Sequence, residues 1–149
     1  MSEQIVEILL VEDSEDDIVM IQEAMQNGNL LNILQVVRDG EEAIAYLRRE
    51  GKYGNAAMPG LILLDINMPK KNGFEVLEEI KSDPNLKQIP VVMLTTSDRE
   101  ADIVKSYATG ASSFITKPVG FENLKKVVEQ IGLYWAVVAK IPDPRAGEH

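Results

Sequence analysis

A chain of 149 residues, 45% apolar and 26% charged, suits one globular domain with a proper core. A formal charge of −9 argues against a nucleic-acid-binding face, because the densest basic groups, Arg48-Arg49 and Lys70-Lys71, are short and interrupted by acids. No apolar run approaches the roughly 20 residues of a membrane span, the N-terminus lacks a signal-peptide pattern, and the absence of cysteine fits a reducing cytosol, so a cytoplasmic protein is expected.

Strand-like and helix-like segments alternate five times. The first strand reads Ile5–Val11. Ser14 with Asp17 then looks like an N-cap followed by an acid, and Ile18, Ile21, Ala24 and Met25 form a stripe ended by Asn27-Gly28. The second strand reads Ile33–Val37, with Asp39 and Glu42 capping a helix whose stripe is Ala43, Ile44 and Leu47. Gly60–Leu64 is the third strand; Phe74, Leu77 and Ile80 follow Asn72-Gly73 and stop before Pro84. The fourth, Ile89–Leu94, precedes a cap at Ser97-Asp98 and a stripe of Ile103, Val104 and Tyr107 ending at Gly110. Ser112–Thr116 is the fifth, and a last helix runs from about Phe121 to about Val138. Residues 1–140 therefore form one domain, and 141–149, with Ile141-Pro142-Asp143-Pro144, an extended or disordered tail.

Short apolar strands without clear alternation suit parallel strands covered on both faces. Five βα units with right-handed crossovers predict an α/β, flavodoxin-like doubly wound sheet of five parallel strands, order 2-1-3-4-5. Ligands in such a sheet bind at the carboxyl ends of the strands. There the sequence places Glu12-Asp13, Asp65, Thr95 and Lys117. That order makes Asp13 and Asp65 neighbours.

Three carboxylates this close either raise a pKa or require a cation. A hard divalent ion with oxygen ligands is the simple answer, and Mg²⁺ prefers few carboxylates plus waters and phosphate oxygens. Alone, Glu12 and Asp13 could equally be helix-capping acids, and a lone Thr95 is more often structural. Lys117 supplies a compact positive charge, and the X-Pro bond to Pro118 can be held cis in a turn that fixes its direction. An aspartate beside a divalent cation and a lysine suits covalent catalysis through an aspartyl-phosphate, with the hydroxyl binding a phosphoryl oxygen. A carboxylate needs no base, so the single histidine, His149, at the end of the chain is no objection.

The set Glu12-Asp13, Asp65-Ile66-Asn67-Met68-Pro69 with Gly73, Thr95, and Lys117-Pro118 resembles the receiver domain of two-component response regulators over about residues 5–138. Val11-Glu12-Asp13-Ser14, the insert Arg48 to Tyr53, Leu94-Thr95-Thr96-Ser97 and Tyr134-Trp135 look closer to small regulators paired with cyanobacterial and bacterial phytochromes. The resemblance implies that Asp65 accepts a phosphoryl group from a sensor histidine kinase, here of phytochrome type. It implies Mg²⁺ held by Asp13, Asp65, the Asn67 carbonyl and Glu12, directly or through water. Lys117 would contact the phosphoryl group, Thr95 would move toward it, and Phe114 would be the switch aromatic. Asn67 and Ser97 would tune the acyl phosphate's lifetime. Such a protein catalyses only its own phosphorylation and dephosphorylation.

With no effector segment recognised, output is expected through a protein-binding or dimerisation face. On the last helix, Leu124, Val127, Val128, Ile131, Trp135 and Val138 face the core, and Leu133 and Val137 project nearly opposite. Those two residues mark either a homodimer patch or a surface that the tail folds over. A haloacid-dehalogenase phosphatase would need an aspartate where Asn67 stands. A nucleotide binder would need a phosphate loop in place of the acidic Glu12 to Asp17, and an EF-hand would need glycine at Lys70. The remaining alternative is a receiver-fold interaction module that works without phosphorylation.

Overall fold

The computed structural model describes residues 7–27, 34–68, 70–96 and 100–130. Five strands, β1 (Ile8–Val11), β2 (Leu34–Val37), β3 (Leu61–Asp65), β4 (Val91–Thr95) and β5 (Ser113–Thr116), pair in parallel in the order β2-β1-β3-β4-β5. The helices α1 (Glu15–Asn27), α2 (Gly40–Leu47), α3 (Gly73–Ser82), α4 (Glu100–Thr109) and α5 (Phe121–Gln130) alternate with them. This is the expected doubly wound sheet. The carboxyl ends of β1 and β3 lie side by side, with Val11 opposite Leu64.

Alternate side chains of each strand explain why the central strands read as unbroken apolar runs. Leu9, Val11, Ile62, Leu64 and Met93 join Ala43, Ile44, Leu47, Val76, Leu77 and Ile80 beneath α2 and α3. Ile8, Leu10, Leu61, Leu63, Val92 and Leu94 join Ile18, Ile21, Met25, Leu124 and Val127 beneath α1 and α5. Every residue of β1, β3 and β4 is buried, and the polar ones, Asp65 and Thr95, stand only at the carboxyl ends. The edge strands differ. In β2, Gln35 is exposed and only Val37 is buried, whereas β5 alternates buried Ser113 and Ile115 with half-buried Phe114 and Thr116.

The caps follow the sequence, with small shifts in element ends; Ile5, Val6 and Ile33, expected in the first two strands, lie outside the described residues. The Asp17 amide donates to Ser14 Oγ, and the Glu42 amide donates to Asp39 Oδ1. Gly110, at φ 115°, ends α4, a left-handed turn that a side chain would strain. Two stripe assignments change. In α3 the buried face is Gly73, Val76, Leu77 and Ile80, and Phe74 is half-buried. In α4, Tyr107 is 47% exposed rather than core, and Ser106 is buried instead. α4 packs mainly against α3 and the edge strand β5, and Tyr107 lies on its exposed side.

The expected cap at Ser97-Asp98, the helix beyond Gln130 and the tail at 141–149 lie outside the described residues, as do Ser97, Leu133 and Val137. Among the described residues no helix is long and apolar enough to cross a membrane.

Candidate phosphoacceptor and metal site

Sheet ladders deliver the functional groups. Asp65 is the last residue of β3 and Thr95 the last of β4, one residue beyond the Leu94 that faces Asp65. Single main-chain bonds prolong the ladders past the strand ends. The Glu12 amide donates to the Val37 carbonyl, Ile66 to Leu94, and Lys117 to Thr95 at 2.7 Å. Each bond fixes the direction in which a neighbouring polar side chain leaves the sheet. Asp65 and Thr95 are both buried. The Lys117–Pro118 peptide bond is cis.

Gly73 sets the wall behind Asp65. Its amide donates to the Ile66 carbonyl at 2.8 Å, and a Cβ there would overlap the Asp65 carbonyl oxygen and lie 2.7 Å from Ile66 Cα. Only a residue without a side chain lets α3 begin this close to the end of β3. The reason for glycine is space.

Lys117 organises the charges. Its side chain is 8% exposed, and Nζ lies 2.7 Å from Glu12 Oε1, 2.8 Å from Asp17 Oδ2 and 3.3 Å from Asp65 Oδ1. Burial works against its charge, but the hydrogen bond to Asp17, the close contact with Glu12 and the charges of Asp65 and Glu12 outweigh it, holding the ammonium above its usual range. Glu12 is wholly enclosed, and burial pushes its carboxyl up to about 7 despite Lys117, with the charge of Asp65 acting in the same direction. Burial also raises Asp65, against the pull of Lys117 and the Asn67 amide, which donates to Asp65 Oδ1 at 3.4 Å.

Glu12 Oε2 accepts from the Ser14 amide at 3.2 Å. Oε1 faces Lys117 off the line of an aligned hydrogen bond, and among the described residues it is the buried side-chain oxygen left without one. It therefore keeps acceptor capacity. Carboxylate oxygens of Glu12, Asp13 and Asp65 lie within 4.8 Å of one another, with Asp13 exposed at the mouth. All-oxygen donors, a spare buried lone pair and an open side fit a hard divalent cation that retains waters.

The expected residues Glu12, Asp13, Asp65 and Lys117 thus converge, with Thr95 on the adjacent strand end and Asn67 exposed just past Asp65. Phe114 is placed differently. Half-buried in β5, its ring meets Tyr107 edge-on at 6.1 Å and 84°. Asp17 was legible only as a capping acid, yet it touches Lys117 across 100 positions of sequence. Its place in the acidic run Glu12 to Asp17 was the one hint of it in the sequence.

Residues 8–129 match the response regulator receiver domain. Response regulator Rcp1 of Synechocystis sp. is 44% identical over 135 residues, covering 91% of this chain and 92% of that protein. A Mn²⁺-bound form of Rcp1 has a TM-score of 0.73 at 43% identity, covering 93% and 99% of the two chains. The phosphorylated cyanobacterial phytochrome response regulator RcpA is 50% identical with a TM-score of 0.75, covering 93% and 99%. The bacteriophytochrome response regulator RtBRR is 41% identical with a TM-score of 0.82, covering 97% and 87%.

Proposed function

Because this chain belongs to the response regulator receiver domain family, we propose that it accepts a phosphoryl group on Asp65 from a phosphohistidine of a sensor kinase, in a reaction that depends on Mg²⁺. The observation that carries the proposal is the meeting of a buried Asp65 carboxylate, the Lys117 ammonium 3.3 Å away and the Glu12–Asp13–Asp65 oxygen cluster.

Asp65 Oδ attacks phosphorus as the P–N bond to the donor imidazole breaks, and the electron pair leaves with that nitrogen, which is then protonated from solvent. No general base is required, since the nucleophile is already an anion. Glu12, Asp13, Asp65 and the Asn67 carbonyl would hold the cation, which neutralises charge on the phosphoryl oxygens. Lys117 is the protein's own counter-charge on the same oxygens, and its raised pKa keeps it protonated throughout. Thr95 would donate its hydroxyl to a phosphoryl oxygen, and Phe114 with exposed Tyr107 would carry the change to the α4–β5 flank. Asn67, exposed just past Asp65, and Ser97 would set water access to the acyl phosphate. The names of RcpA and RtBRR support a kinase of phytochrome type, and a homodimer through Leu133 and Val137 remains part of the proposal.

The test is incubation of the protein with Mg²⁺ and acetyl phosphate, read by intact mass. The wild type gains one phosphate; Asp65→Asn does not, and chelation of Mg²⁺ abolishes the gain. A wild type that stays unmodified would instead favour an interaction module independent of phosphorylation.

A further inference from the structure

Lys117 has three carboxylates around one ammonium, and the proposed chemistry employs only two of them. Glu12 and Asp65 share the cation cluster with Asp13. The third, Asp17, stands on the first turn of α1, where its amide is fixed by Ser14 Oγ at 3.3 Å. Its Oδ2 accepts from Lys117 Nζ at 2.8 Å, against 3.3 Å from Nζ to Asp65 Oδ1. The Asp17 side chain is 28% exposed, whereas that of Glu12 is fully enclosed. Water can therefore replace the ammonium at Asp17 far more readily than at Glu12.

We propose that Asp17 is a positioning residue that holds Lys117 on the α1 side of the pocket until a phosphoryl group on Asp65 takes the ammonium over. The inference rests on Asp65 being the phosphoacceptor. A phosphoryl group brings more negative charge than the carboxylate it modifies, at the place where Lys117 is already within reach. Asp17 is the partner that loses in that competition. It delays transfer by drawing the counter-charge off Asp65, and it links the occupancy of Asp65 to the freedom of the first turn of α1.

The test uses the full chain loaded with Mg²⁺, as wild type, Asp17→Asn, Asp17→Glu and Asp16→Asn. Asp16 is an exposed neighbour whose loss removes the same formal charge without touching Lys117. Two readouts are followed: the rate of phosphorylation by sub-saturating acetyl phosphate, and calorimetric affinity for beryllofluoride, an unreactive phosphoryl mimic. Asp17→Asn raises both about fivefold, the scale of a partly exposed ion pair, and leaves Mg²⁺ affinity within twofold of wild type. Asp17→Glu returns both toward wild type, and Asp16→Asn stays near it. Equal effects of Asp17→Asn and Asp16→Asn, or slower transfer and weaker binding in Asp17→Asn, would overturn the proposal.

A further measurement requires no variant to fold. The Asp17 carboxyl ¹³C resonance of the wild type shifts when beryllofluoride binds, as its ammonium partner departs, and a stationary resonance is contrary evidence. A wild type that takes up neither phosphate nor beryllofluoride defeats the phosphoacceptor reading itself. A wild type that takes up both while Asp17→Asn behaves as wild type defeats only the role of Asp17.

Discussion

Glu12 shows at the scale of one residue how burial prepares a site for a cation. Its carboxyl is pushed up to about 7, whereas the unfolded chain leaves it near 4.5. The folded state therefore binds the extra proton between those values. Stability from this group is complete below about pH 4.5 and is lost as pH rises through about 7. With metal chelated, the protein should lose about 3 kcal/mol across that window, and Glu12→Gln should flatten the loss. Because protons and the cation compete for the same oxygens, added Mg²⁺ should raise the melting temperature more at pH 8 than at pH 6. Thermal unfolding across pH, with and without chelator, measures both effects; parallel curves for wild type and Glu12→Gln would refute the assignment. Residue type and strand-end position made Glu12, Asp13, Asp65, Thr95 and Lys117 legible in the sequence. The hold of Asp17 on Lys117 was not, because it depends on how α1 is rotated against β5.

Among the elements, α3 bears most directly on Asp65. Asn72 caps it with a reciprocal box: the Glu75 amide donates to Asn72 Oδ1 at 3.0 Å, and the Asn72 amide donates to Glu75 Oε1 at 2.9 Å. This box fixes the first turn that Gly73 presses against the end of β3. Asn72→Ala should cost about 1 kcal/mol, lowering the melting temperature by about 3 °C, and a calorimetric scan at fixed pH reads it. An unchanged transition would mean that the packing of Val76, Leu77 and Ile80 alone sets the helix start. The sequence placed the helix but chose Phe74 over Val76 for its buried face. Both assignments obey the helical period; they differ by a rotation of less than a turn, which only the position of the sheet decides. Tyr107 misled for a related reason. It keeps the period of a core stripe, yet α4 packs on an edge strand and leaves that flank open.

For the whole molecule, strand order and the two-layer core were readable because fully buried parallel strands leave an unmistakable apolar signature. The ends of β2 and β5 were less sharp, since edge strands carry partly exposed residues. The assembly proposed through Leu133 and Val137 predicts a mass. The wild type should sediment as a dimer, and Leu133→Asp combined with Val137→Asp as a monomer. A wild type already at the monomer mass, or a double variant still at the dimer mass, removes the idea.

The middle strand ends in the proposed nucleophile, Asp65, but the positive charge that balances it arrives 52 positions later, after the edge strand is laid down. During synthesis on the ribosome, a nascent chain that has emerged only as far as β4 presents its acids with no ammonium among them. Like charges then resist closing up the strand ends. The pocket can close only once β5 and Lys117 have followed the other four strands out.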